Sequence, residues 1–296
     1  MKGIREIRQR MKAIKGIGQI TRAMELVAVS KMKRAQDLAK NARPYSLLLA
    51  EILNALDHYF EKFEHPFFEQ RAVKTRGIIV VSTDKGLCGA LNTNLFRLIT
   101  EFTGPIQYIA VGRKASQFLA RTKRELVAEF PISDKCRFSE IKPLVEYASQ
   151  AFLDKKTDTV EIVFPRFVST LIQTASHEVL LPLIDFRSEL ETLRKRLTQV
   201  PEPIKEDSRE MNYEPDPLTF LQAIPPLFLK QEIYQILLES KASEHSSRMV
   251  AMKNATDNAK ELRKKLNLEY NKARQAAITQ EILEIAAATA QAKQFK

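Results

Sequence analysis

The chain has 296 residues, a net charge of +11, 44% apolar and 28% charged residues, enough to bury a sizeable core in a soluble protein. Its longest apolar runs, 77–81 and 179–183, are too short to cross a bilayer, and no signal-peptide pattern follows the basic start. Cys88 and Cys136 form no C-x-x-C pair or disulfide framework, and His58, His65, His177 and His245 lack metal-ligand spacing, so no metal or cofactor is expected.

The first 43 residues read as a basic helix, with twelve Lys and Arg against Glu6, Glu25 and Asp37. Apolar residues at Ile4, Ile7, Met11 and Ile14 alternate steps of three and four. The pattern then resumes at Ile17, Ile20, Met24 and Val27, which predicts a coiled-coil seam with a local stammer. Gly16 and Gly18 sit at that break and cost the helix about 1 kcal/mol each relative to alanine. A second apolar stretch, Tyr45, Leu49, Ile52, Leu56, Phe60 and Phe63, follows Pro44, which should kink the helix or be absorbed in it. Pro66 should end it. The first unit is therefore placed at residues 1–65.

From residue 73 the periodicity changes. Strands are predicted at 77–82, 106–112 and 159–167, with a further long one at 169–183, and helices at 95–102, 115–121 and 141–153. Strand alternating with helix predicts a Rossmann-like α/β domain over 73–200 with a parallel-type sheet. Residues 201–226 carry several prolines and many charges and read as a connecting loop. Residues 227–296 contain neither glycine nor proline. They predict one long helix, about 105 Å if fully helical at ~1.5 Å per residue, too long to stay within a domain of this size. The two terminal helices can pair antiparallel as a long coiled coil bracketing the α/β domain. The longer C-terminal one leaves its tip, 286–292, as a narrow rod of small side chains.

The 82–92 loop follows a strand and opens a helix, where nucleotide folds hold phosphate. It has neither G-x-G-x-x-G nor the P-loop pattern, so a tight strand-to-helix turn is the expectation, with Cys88 a small buried thiol. Asp84 and Lys85 have no histidine or carboxylate partner in the sequence pattern. Met24, Met32, Met249 and Met252 read as core of the helix pair. Basic residues concentrate at the chain ends, so an acidic protein surface is the first-ranked partner, nucleic acid the second and lipid headgroups the third. The bases are interleaved with apolar residues, unlike a basic DNA-reading block, and no aromatic residue for RNA stacking precedes Tyr45.

Five stretches together resemble the gamma subunit of F-type ATP synthases: 20–32 (Ile-Thr-Arg-Ala-Met-Glu-Leu-Val-Ala onward), 81–89 (Val-Ser-Thr-Asp-Lys-Gly-Leu-Cys-Gly), 213–217 (Tyr-Glu-Pro-Asp-Pro), 242–258 and 270–285. They occur in the family's order, whereas 113–209 matches only in outline. The resemblance implies a central rotor shaft. Its coiled coil would thread a ring of alternating alpha and beta subunits, with the α/β domain near the epsilon subunit and the membrane ring of c subunits. Rotation driven by protons or sodium would change nucleotide binding in the beta subunits, and this chain would itself be non-catalytic, with no cofactor. Met24, Arg248, Gln275 and Thr279 match positions that contact beta-subunit loops, and Glu214 one that contacts the membrane ring. Arg22, Lys31, Lys33 and Arg34 would add positive field toward acidic loops. Gly16 and Gly18 depart from the family's helix formers, and the cysteine-bearing insertion of the chloroplast branch is absent. The implied location is the cytoplasmic side of a bacterial inner membrane, reached only through partners. The alternative is a nucleic-acid-binding protein with a basic coiled-coil arm.

Overall fold

The computed structural model describes residues 3–55, 65–183, 214 and 216–294. The expected loop over 201–213, Leu56, Phe60 and Phe63 lie outside the described residues, as do the side chains of the tip beyond Ala286. The elements are α1 (Ile4–Ala55), β1 (Arg76–Val81), α2 (Leu91–Thr100), β2 (Ile106–Val111) and α3 (Arg113–Arg121). They continue with β3 (Leu126–Phe130), α4 (Lys142–Leu153), β4 (Thr159–Phe167), β5 (Gln173–Leu181) and α5 (Pro217–Gln294). Short 3-10 turns lie at Pro66–Phe68 and Phe138–Glu140. Two compact units result: residues 1–28 with 249–296, and Val29–Arg248.

In the larger unit five strands form one sheet in the order β3-β2-β1-β4-β5. β1 to β4 run parallel, and β5 returns antiparallel to β4. The sheet is mixed where a parallel one was expected, because only residues 168–172 join β4 to β5, too few for a parallel crossover. The long strand expected over 169–183 is the shorter β5. β3 was not anticipated: Leu-Val-Ala-Glu-Phe is short and only half-buried at the sheet edge, so it carries little strand signal.

Alternate residues of the central strands supply two cores. Ile79, Val81, Ile109, Val111 and Ile162 face α4 and the first turns of α5 through Leu144, Phe152, Ile224, Phe228 and Ile233. Ile78, Val80, Tyr108, Ala110 and Val163 face α2 and α3 through Leu95, Ile99, Ala115 and Leu119. Burial on both faces explains the continuous apolar run of β1.

Two corrections concern the helices. α5 starts at Pro217, so residues expected in the connecting loop are helical and Pro225 and Pro226 lie inside it. Each proline removes an intrahelical hydrogen bond, and the buried Ile224, Phe228 and Leu229 on the same turns offset that loss. α1 absorbs Pro44, one of the two outcomes expected for it. The second correction moves the seam of α1 in the smaller unit. Ile17, Ile20 and Val27 are 54%, 63% and 55% exposed, whereas Thr21, Glu25 and Ala28 are buried and Gly18 half-buried. Ile4, Ile7, Met11, Ile14, Gly18, Thr21, Glu25 and Ala28 thus hold one heptad without a stammer. Small side chains win these positions because they let the two backbones approach; a Cβ on Gly18 would stand 3.5 Å from that of Ala259. Met252 is buried, whereas Met24, Met32 and Met249 are half-buried.

Candidate functional site on the helix pair

Within the smaller unit the pairs Gly18–Ala259 and Thr21–Thr256 run in opposite directions along the two helices, so α1 and α5 are antiparallel there. The α5 side of the seam steps by four and three through Met252, Thr256 and Ala259, skips one heptad position at the exposed Arg263, and resumes by four and three through Leu266, Tyr270 and Ala273, all six buried or half-buried. Beside it lies a groove of about 610 Å³ lined by Lys15, Arg22, Lys260 and Arg263 with Gln19 and Gly18. Arg22 reaches Glu25 at 2.7 Å, and the groove lining itself contains no acid. Such a surface suits a negatively charged partner segment.

The two helices also carry exposed apolar side chains. On α1 they are Ile17, Ile20, Leu26 and Val27; on α5 they are Ile278, Ile282, Leu283 and Ile285, the last 67% exposed. Gln275 and Thr279 are exposed on that stretch of α5, one turn apart, with the Thr279 hydroxyl donating to the Gln275 carbonyl at 2.9 Å. Met24 is half-buried beside the α1 surface. Exposed apolar rows of this length mark interaction surfaces.

Arg248 and Glu214 belong elsewhere. Glu214 is exposed just ahead of α5, whose first turn is capped by Asp216 accepting from the Thr219 amide at 3.0 Å and its hydroxyl at 2.6 Å. Arg248, in the larger unit, points inward. It donates to Glu244 at 2.9 Å, to the Lys85 carbonyl at 3.2 Å and to the Gly86 carbonyl at 3.4 Å. Its neighbours continue the pattern: Ser247 donates to the Cys88 carbonyl and Ser246 to the Thr170 carbonyl, both at 2.7 Å, and Glu239 accepts from the Phe167 amide at 2.9 Å. A polar belt on α5 therefore caps the loops at the carboxyl ends of β1 and β4, where open α/β sheets otherwise hold ligands.

The 82–92 loop is a self-satisfied turn. Asn92 accepts from the Thr83 amide at 3.3 Å and donates to the Thr83 hydroxyl at 2.8 Å and to Cys88 at 3.4 Å. Asp84 accepts from the Arg113 amide at 3.1 Å. Ser82 accepts from the Ala115 amide at 2.7 Å. The cavity left among Ser82, Thr83, Gly112, Lys241 and Glu244 is about 10 Å³, the space of one water, against roughly 300 Å³ for a small-ligand pocket. Cys88 and Cys136 are both buried, and burial pushes the Cys136 thiol up to about 11. Among the described residues no group of His, Cys, Asp or Glu is placed to hold a metal, and no helix is long and apolar enough to cross a membrane.

Sequence reasoning missed the belt at Lys241, Glu244 and His245. The signal was present: a glycine-free helix carrying polar residues at the three-four spacing of a buried stripe, where solvent exposure was the simpler reading.

A family model described as ATP synthase matches residues 3–291. The chain is 51% identical to the ATP synthase gamma chain of Opitutus terrae over 289 residues, covering 97% of this chain and 98% of that one. It is 41% identical to that of Methylacidiphilum infernorum over 290 residues, covering 96% and 97%. The fold is similar to the rotor of the Euglena gracilis mitochondrial ATP synthase, with a TM-score of 0.65 at 20% identity over 93% of this chain and 98% of that one. It is also similar to the central stalk of the Tetrahymena thermophila enzyme, with a TM-score of 0.57 at 25% identity over 80% and 99%. With matches that run through both helices and the sheet between them, the chain belongs to the ATP synthase gamma family.

Proposed function

We propose that this chain is the central rotor shaft of a bacterial F-type ATP synthase and is itself non-catalytic. The observation that carries this reading is a family match extending over residues 3–291, both helices included. The helix pair would stand inside a ring of alpha and beta subunits, and the α/β domain beside the epsilon subunit and the membrane ring of c subunits. Ion-driven rotation would bring different faces of the helices to each beta subunit in turn and so change nucleotide affinity there. The complex, rather than this chain, performs ATP synthesis and hydrolysis. Attachment to the cytoplasmic side of the inner membrane would come through these partners.

The basic groove of Lys15, Arg22, Lys260 and Arg263 supports an acidic beta-subunit loop as the partner, because charge complementarity steers without holding tightly. Met24, Gln275 and Thr279 would contact those loops. Arg248 would serve them through the turn it braces, since its own guanidinium is bonded within the chain. Glu214 would meet the membrane ring. The test is co-expression with the organism's alpha and beta subunits. One copy of this chain per ring is expected, with ATPase turnover that collapses when residues 275–296 are deleted. A chain that stays out of the ring and instead shifts oligonucleotides at moderate salt would replace this reading with a nucleic-acid-binding arm.

A further inference from the structure

If the chain is a rotor, as proposed above, torque must pass between α5 and the α/β layer within the larger unit. Between Glu239 and Arg248 the buried face of α5 is polar. Lys241, Glu244, His245 and Arg248 follow the three-four spacing of an apolar stripe, yet they are ionisable, and their side chains are only 3–11% exposed. Burying four such groups is costly, and apolar residues of similar volume would hold the helix at least as well. Stability alone does not account for them. Apolar contact is non-directional and resists rolling weakly, whereas hydrogen bonds weaken steeply once their angles are spoiled.

We propose that this polar belt keys α5 to the α/β layer against rotation about its own axis, with Asp134 as the positioning residue of the key. Asp134 lies on the loop after β3 and binds Lys31 of α1 at 2.5 Å. Its other oxygen stands 4.0 Å from both Lys241 Nζ and His245 Nε2 on α5. The Arg248 guanidinium, 3.4 Å from His245 Nδ1, can only donate. Nδ1 is therefore the acceptor, and the ring proton sits on Nε2, the nitrogen nearer Asp134, at a distance where the attraction is electrostatic and not a hydrogen bond. One carboxylate thus ties both helices to a loop of the sheet. A roll of α5 by one residue, about 100°, would withdraw Lys241 and His245 together.

The experiment uses the complete complex in inverted membrane vesicles, carrying the unaltered chain, Asp134→Asn or Asp134→Glu. ATP hydrolysis and ATP-driven membrane potential, read with a potential-sensitive dye, are measured on the same sample. For Asp134→Asn, potential generated per ATP is expected to fall measurably, by about fivefold at most, the upper limit of what one exposed ion pair can bias. Hydrolysis by the soluble complex with alpha and beta should stay unchanged, and Asp134→Glu should restore coupling. A normal potential with Asp134→Asn overturns the key and leaves the rotor function standing. So does a loss that Asp134→Glu shares and that follows a lowered melting temperature of the chain. No potential from the unaltered chain would sink the rotor reading and the key with it.

Discussion

Thr21 and Thr256 place their hydroxyl oxygens 2.8 Å apart in the buried seam of the smaller unit. Each hydroxyl also faces a carbonyl of its own helix, Gly18 at 3.2 Å from Thr21 and Met252 at 2.8 Å from Thr256, so one of the two protons bridges the pair and the other goes to a carbonyl. The seam at this point is held by polar groups that satisfy one another. Replacing either residue with valine removes the bond between the helices but leaves its partner a backbone carbonyl, and should cost about 0.5–1.5 kcal/mol in urea denaturation. Replacing both should cost less than the sum, with a coupling of roughly 0.5–1.5 kcal/mol in the double-mutant cycle. Additive losses would show that the hydroxyls do not share a bond in solution.

Acid should destabilise the chain over two pH windows. Burial opposes ionisation of Glu161, yet hydrogen bonds from His177, Arg76 and Thr159 and the Arg76 charge outweigh it and hold the carboxyl at about 2. Its folded value is depressed, so its contribution is complete above an unfolded value near 4.5 and is lost as pH falls toward 2. Burial, helped by Arg248 and Lys241, lowers His245 to about 4 against the opposing pull of Glu244 and Asp134. Its unfolded form takes up the proton first, so stability declines between about 6.5 and 4. Thermal melts from pH 7 to 3 should flatten over the upper window in His245→Gln and over the lower one in Glu161→Gln. Unchanged slopes in both variants would contradict these assignments.

Gly112 precedes α3 with φ +93°, and a Cβ there would stand 2.4 Å from the Ser82 carbonyl oxygen. Gly112→Ala combines a backbone clash with an unfavourable left-handed conformation, so a loss of about 3 kcal/mol or more is expected. Gly3→Ala, in open space, serves as the control and should stay within about 0.5 kcal/mol in chemical denaturation.

Ile282 and Ile285 are exposed on α5. Changing both to serine should leave the melting temperature of the isolated chain almost unmoved, since exposed sites shift stability by about 0.5 kcal/mol or less. Retention of alpha and beta subunits during co-purification should weaken. Unchanged retention would remove this surface from the ring contact.

β1, β2 and β4 were legible because strands buried on both faces leave unbroken apolar runs bounded by glycine, threonine or proline. The long C-terminal helix was legible from its lack of breakers. The seam of α1 was misread between Ile17 and Val27, because ranking residues by apolarity favours isoleucine over glycine and threonine. Close backbone approach reverses that ranking, and the displaced isoleucines face outward. The internal bonds of Arg248 were not legible either: the sequence holds no sign that the carbonyls of Lys85 and Gly86, some 160 positions away, accept from it.

The outward rows of isoleucine and leucine on α1 and α5 carry a cost before any assembly exists. A newly made copy displays greasy helical ridges that can find one another as readily as their intended neighbours. Translation in excess of the other subunits would therefore favour self-association and clearance by proteases, so the amount of this chain that survives in a cell should track the supply of rings ready to enclose it.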